Sequence, residues 1–185
     1  MRTFLAVDVS PECREMLGKT LPVLQKDVTS RMSWTKPRNW HLTLKFLGEL
    51  EPDRVVAVRK AMAGVRFDPF SLRPGNAGVF PGPKKPNVIW VGLASGAQPC
   101  HALARSVNEA LTGAGFPEGR PFQAHLTIGR IKLDKGDDWR TLLGRIRKVQ
   151  WPAFTVRSFT LYKSVLGPGG PKHTAIEHFP AGGPK

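Results

Sequence analysis

One tripeptide, His-Leu-Thr, occurs twice in the chain. Residues 39–46 read NWHLTLKF and residues 123–130 read QAHLTIGR, so His41 leads to Thr43 and His125 to Thr127. Both runs alternate polar and apolar in the manner of a half-buried strand. In a strand, positions i and i+2 share a face. His41 and Thr43 therefore project together while Leu42 and Leu44 project to the other side, and His125 and Thr127 do the same against Leu126 and Ile128. A single histidine of this kind reads as an ordinary core or surface residue. Two of them aimed at one groove are the minimum apparatus for general acid–base catalysis. One imidazole must be neutral to take a proton and the other charged to give it, and histidine has both forms within reach of neutral pH. The threonine hydroxyls and strand-end N–H groups can hold an anionic oxygen between them. Together these groups suit in-line displacement at phosphorus without a metal.

The elements that must position these residues repeat as well. His41 and His125 lie 84 apart (125 − 41), as do the helix openers Asp53 and Asp137. At the same offset Val55, Val58, Met62 and Val65 match Trp139, Leu142, Ile146 and Val149. One strand–loop–helix unit used twice predicts two lobes related by an approximate two-fold axis. Other elements follow from local signals. TFLAVDV is a buried strand. Ser10-Pro11 caps a helix bearing Cys13, Met16, Leu17, Leu21 and Leu24, which Pro22 must kink or end. Strands are expected over 70–80 and 87–95, around the proline-rich turn PGPKKP, and a helix over 99–113. Asp137 is expected to cap a helix, and 153–166 and 174–179 to close the fold as strands. The last residues, from 180 onward, read as a loose tail.

Composition narrows the class. Lys plus Arg is 28 against 14 Asp plus Glu, a formal charge of +14, which points to a polyanionic partner and to nucleic acid first. Two cysteines, Cys13 and Cys100, form neither a metal spacing nor a disulfide framework and read as buried thiols. No acidic cluster, HExxH or paired-cysteine motif suggests a metal, and no cofactor is expected. The N-terminal apolar run is too short for a secretory signal, and no stretch approaches a membrane span, so a cytoplasmic, non-membrane monomer is expected. Arg31, Lys36, Arg38 and Lys45 form a basic cluster that reads equally as a solvated face or as an RNA-backbone contact. Trp40 reads as core.

The paired motifs resemble the H-x-T-x signatures of the 2H phosphoesterase superfamily, and within it the RNA 2′,3′-cyclic phosphodiesterase (2′–5′ RNA ligase) family. RTFLAVDVS, HLTLKFLGEL, GVFPGPKKPNVIWVGL, HLTIGR and LYKSVLGPGGPKH carry the resemblance along nearly the whole chain. It implies an α+β fold: one bilobal domain over 1–185, each lobe an antiparallel sheet backed by helices, with the motifs in a central groove. It implies opening of an RNA 2′,3′-cyclic phosphate end to a 2′-phosphate, and in reverse a 2′–5′ ligation. His41 would be the proton donor and His125 the proton acceptor. Thr43, Thr127 and Arg130 would bind the phosphate, and Phe46 would pack under the site or against a base. Simple alternation turns Arg130 away from His125 and Thr127, and Gly129 is where a bulge would return it. Family members often carry tyrosine where this chain has His173, which reads first as an exposed loop residue and otherwise as a groove residue that stacks or hydrogen-bonds. The competing reading is a non-catalytic module that holds RNA ends.

Overall fold

Each half of the chain builds the same series of strand, helix, strand, helix, strand across residues 1–182, which the computed structural model describes. The first half comprises β1 (Arg2–Asp8), α1 (Pro11–Gln25), β3 (His41–Glu49), α2 (Pro52–Ala63) and β4 (Phe70–Phe80). A short β2 (Arg31–Trp34) and a 3-10 turn (Pro37–Asn39) precede β3. The second half comprises β5 (Val88–Ser95), α3 (Ala97–Gly113), β6 (Leu126–Leu133), α4 (Trp139–Arg147) and the pair β7 (Phe154–Val156) and β8 (Ser158–Val165), followed by β9 (Lys172–Pro180). The offset of 84 relates the elements to within a few residues: added to the bounds of β4 it gives 154–164, against 154–165 for β7 and β8 together.

Two antiparallel sheets result, ordered β3-β1-β8-β9 and β2-β6-β5-β4-β7. Both contain the same triplet of motif strand, opening strand and closing strand, as β3-β1-β8 and as β6-β5-β4. In each triplet the closing strand comes from the other half of the sequence. The lobes are therefore interlaced: the first sheet takes β8 from the second half, and the second takes β4 from the first. Helices α1 and α2 back the first sheet, α3 and α4 the second, as the expected pseudo-symmetric α+β arrangement requires.

Local chemistry accounts for most boundaries. Ser10 caps α1 by accepting the Cys13 N–H at 3.3 Å, with Pro11 in the first turn where its missing N–H is harmless. Pro22 does not end this helix, for α1 continues to Gln25. Proline removes one backbone hydrogen bond, but Leu21 and Leu24 on either side of it are buried and hold the last turn by packing. Both cysteines are buried, and burial pushes the Cys100 thiol up to about 12. The tail is held further than its composition suggests. Pro180 pairs with Ser158, and the Ala181 and Gly182 N–H groups donate to the carbonyls of Arg157 and Phe67; residues 183–185 of that expected tail lie outside the described residues. Among the described residues no helix is long and apolar enough to cross a membrane.

Asp137 does not cap α4. Asp138 does, accepting the Thr141 N–H at 3.0 Å. Asp137 instead accepts the Thr29 N–H at 2.8 Å, the Thr29 hydroxyl at 2.7 Å and the Ser30 N–H at 2.8 Å, latching the turn before β2 to the loop before α4. Burial alone would raise its carboxyl, but these donors outweigh that and hold it at about 2. Asp137→Ala is expected to lower stability by about 1–2 kcal/mol, the low end for bonds to a charged group because the site is partly exposed. Urea unfolding at pH 7 checks this, and an unchanged midpoint would show the latch to be idle.

Candidate active site

The register of β1 on β3 sets the first half of the site. His41 lies opposite Asp8, Thr43 opposite Ala6, and Phe46 opposite Phe4. Opposed residues of an antiparallel pair share a face. Leu42 and Leu44, with Leu5 and Val7, go to the buried side. Phe46 joins His41 and Thr43 because Leu44 is an extra residue in the ladder: β3 advances from Thr43 to Lys45 while β1 advances from Ala6 to Leu5. The same slip recurs in β6, where Thr127 to Gly129 faces Trp90 to Ile89 and Ile128 is the extra residue. Ile128 lies 84 after Leu44 (128 − 44). The bulge sits one residue before the expected Gly129 and has the expected effect, returning Arg130 to the face of His125 and Thr127.

Both imidazoles are locked in the same way. His41 Nδ1 lies 2.6 Å from the Asn39 carbonyl oxygen, and His125 Nδ1 lies 2.7 Å from that of Gln123. A carbonyl can only accept, so Nδ1 carries the proton in each ring and Nε2 presents a lone pair. His41 stacks on Phe4 at 4.7 Å between centroids, and Phe4 in turn stacks on Tyr162 at 5.3 Å. His125 meets the Phe80 ring edge-on at 5.0 Å, and Phe80 packs at 5.0 Å from Trp90. Gly78 makes room for that indole, since a Cβ there would overlap the Trp90 ring.

These surroundings favour the neutral imidazole. Burial, aided by His173 and Arg14 and opposed by the Asn39 carbonyl and Asp8, lowers His41 from 6.5 to about 4. His125 is lowered by burial, with the Gln123 carbonyl opposing and the Arg130 charge adding to the shift. Asp8 is itself well occupied, accepting the Tyr162 hydroxyl at 2.6 Å, the Thr160 hydroxyl at 3.1 Å and an Arg14 N–H at 3.2 Å.

Two connections bring the motif strands together across the sheets. Strand β2 pairs with β6 in the second sheet, and the chain then crosses through the 3-10 turn into β3 of the first. Just beyond β2, Thr35 N–H donates to the Ile128 carbonyl at 2.9 Å, beside the second motif. Lys45 makes the other connection. Its ammonium reaches Asn108 Oδ1 at 2.5 Å, the Pro117 carbonyl at 3.1 Å and the Glu118 carbonyl, holding the loop that leads to His125. The reading of Lys45 as part of a solvated or RNA-facing cluster is therefore corrected.

His173 also differs from expectation. It is the second residue of β9, not a loop residue, and its ring stands perpendicular to His41 at 5.3 Å and to Phe4 at 4.9 Å. Phe46 is 64 % exposed on the same face, 6.1 Å from Phe4, while Trp40 is core as expected. Phe4, Phe80 and Tyr162 were not singled out from sequence. The period-two face Phe4–Ala6–Asp8 was a usable signal for Phe4. The two locking groups are backbone carbonyls, which no residue type betrays. Among the described residues no three His, Cys, Asp or Glu side chains gather as a metal-holding cluster.

A family model described as LigT like Phosphoesterase matches the chain twice in tandem, over residues 9–90 and 91–173. The chain belongs to the LigT-like phosphoesterase family. The boundary between the two matches falls in β5, the strand that opens the second series of elements. Among curated relatives, the RNA 2′,3′-cyclic phosphodiesterase of Archaeoglobus fulgidus is 34 % identical over 97 % of this chain and 99 % of its own. That of Methanothermobacter thermautotrophicus is 31 % identical over 97 % and 98 %. Solved structures share the fold: TT0787 of Thermus thermophilus at a TM-score of 0.77 and 24 % identity, covering 99 % of both chains, and apo LigT of Escherichia coli at 0.74 and 24 %, covering 97 % and 96 %. This LigT-like phosphoesterase thus spans nearly the full length of these two relatives and two structures.

Proposed function

We propose that the protein hydrolyses RNA 2′,3′-cyclic phosphate ends to 2′-phosphates by acid–base catalysis between His41 and His125, without a metal. The observation that carries this reading is the matched pair of carbonyl-locked imidazoles, His41 opening β3 and His125 just before β6, in a LigT-like phosphoesterase. Relatives described as RNA 2′,3′-cyclic phosphodiesterases add support, as do structures of Escherichia coli LigT with phosphate and with 3′-AMP.

The lone pair on His125 Nε2 takes a proton from water as its oxygen attacks phosphorus. The P–O3′ bond breaks on the opposite side, and His41 protonates the departing O3′, leaving a 2′-phosphate and a free 3′-hydroxyl. Thr43, Thr127 and the Arg130 guanidinium bind the non-bridging oxygens. His41 must be charged to serve as donor, yet burial keeps it neutral in the free protein. The bound phosphate supplies the remedy, because a neighbouring anion raises an imidazole's proton affinity. Phe46, exposed beside this face, offers a surface on which a base can stack. The +14 formal charge draws the polyanion in.

Product analysis on a short RNA with a 2′,3′-cyclic phosphate end, in EDTA, tests the reading. The expected product is the 2′-phosphate alone. A 3′-phosphate would reverse the acid and base assignments. Binding of such ends without cleavage between pH 5 and 9 would leave the non-catalytic module instead.

A further inference from the structure

The two motif strands differ at one matched place. Phe46 and Arg130 are 84 apart (130 − 46), and a bulge sets each on the imidazole side of its strand. The His125 strand therefore carries a cation where the His41 strand carries a phenyl ring. A phosphate between them meets guanidinium donors from the second sheet and none at the matched place of the first. The imidazoles cannot fill that gap while neutral. With Nδ1 committed to the Asn39 and Gln123 carbonyls, each turns a lone pair outward.

His173 stands beside the gap. It enters the first sheet from β9, opposite Ser164 of β8, and flanks the Phe4–His41 stack with its ring perpendicular to both. Its Nδ1 is buried with no hydrogen-bond partner among the described residues. A proton on Nδ1 would be stranded there, as the Nε1–H groups of Trp40, Trp90 and Trp151 are, whereas a proton on Nε2 can be donated to a ligand. The proton therefore belongs on Nε2, the nitrogen left for a ligand. This tautomer is the reverse of that at His41 and His125, making His173 a donor where they are acceptors. Packing alone does not call for imidazole here, because a phenyl ring would fill the space without stranding a nitrogen.

We propose that His173 is a substrate-binding residue that donates its Nε2–H to a non-bridging phosphate oxygen on the His41 side, as Arg130 does on the other. The assignment rests on the site's reading as a phosphodiesterase centre, and it extends that reading to a residue outside both motifs.

The test compares wild type with His173→Phe, which keeps the ring and removes the donor, and His173→Gln, which restores an amide donor. Inorganic phosphate binding to the free protein is followed by NMR titration, and kcat and KM are measured on the cyclic-phosphate RNA. His173→Phe is expected to weaken phosphate binding and raise KM by about tenfold each, with kcat little changed, and His173→Gln to recover most of both. Phosphate affinity and KM unchanged in His173→Phe would overturn the proposal, showing the ring to be a wall only. A loss confined to kcat, or an equal loss in the Gln variant, would overturn it too. Phosphate binding needs no turnover. A wild type that binds phosphate through His173 but opens no cyclic end would sustain this assignment while refuting the proposed reaction.

Discussion

Alanine in place of either His41 or His125 is expected to lower kcat/KM on a cyclic-phosphate RNA by about a thousandfold, the middle of the range for removing a general acid or base. The double variant should lose little more than either single one, because a proton taken on one side of phosphorus is useful only with a proton given on the other. The pH profile tells the two roles apart. A base must be neutral, so the competent fraction of His125 falls as pH drops through its pKa, which burial holds below 6.5. An acid must be charged, so the competent fraction of His41 falls as pH rises through its pKa, about 4 in the free protein, and kcat/KM follows the product of the two fractions. The optimum of kcat/KM therefore lies on the acid side of neutrality. In kcat the alkaline limb moves upward, since the bound anion stabilises the imidazolium. His125→Ala should lose the acid limb and His41→Ala the alkaline limb, with near-UV circular dichroism confirming native folds. A variant retaining more than a tenth of wild-type activity, or both variants keeping both limbs, would sink the assignment.

The site was legible where chemistry and spacing coincide in the chain. The HLT pair, its 84-residue offset and the phase of the following helices were enough to expect duplicated lobes. The offset also relates β1 to β5 and α1 to α3, but side chains hide it there: Phe4 is matched by Val88, and Ala6 by Trp90. The interlacing of β8 and β4 was not legible, because alternation tells which face a residue takes and not which strand lies beside it. The bulge at Leu44 escaped for the same reason, and the one expected at Gly129 sits instead at Ile128: an extra residue exists only relative to a partner. His173 was taken first as a loop residue because its Gly-Pro-rich approach put the start of the last strand at 174, two residues after it begins at Lys172. Asp137 and Asp138 are adjacent carboxylates with equal capping propensity, and only the position of Thr29 and Ser30 decides between them.

Keeping His41 neutral has a consequence for the folded state. Above pH 6.5 the imidazole is uncharged in both the folded and unfolded chain, and no penalty applies. As pH falls below 6.5 the unfolded chain binds a proton that the folded chain refuses until about pH 4. Folding stability should therefore drop by about 3 kcal/mol between pH 7 and pH 4 from this residue alone. His125 and His173 are lowered too and act in the same direction. The Asp137 latch is lost in a separate, lower window, between 3.8 and about 2. Urea midpoints at pH 7, 5.5 and 4 would show the decline, and His41→Gln, which cannot charge, should remove most of it. A wild type with a flat profile over that range, or a Gln variant that declines equally, would mean that His41 is already hydrated and free to charge. Phosphate should act in the opposite sense to acid. An anion at the site raises the imidazole's proton affinity and binds only the folded chain, so millimolar phosphate should restore more stability at pH 5 than at pH 7. That difference would measure, without any turnover, the same coupling between anion and proton by which the substrate arms its own acid.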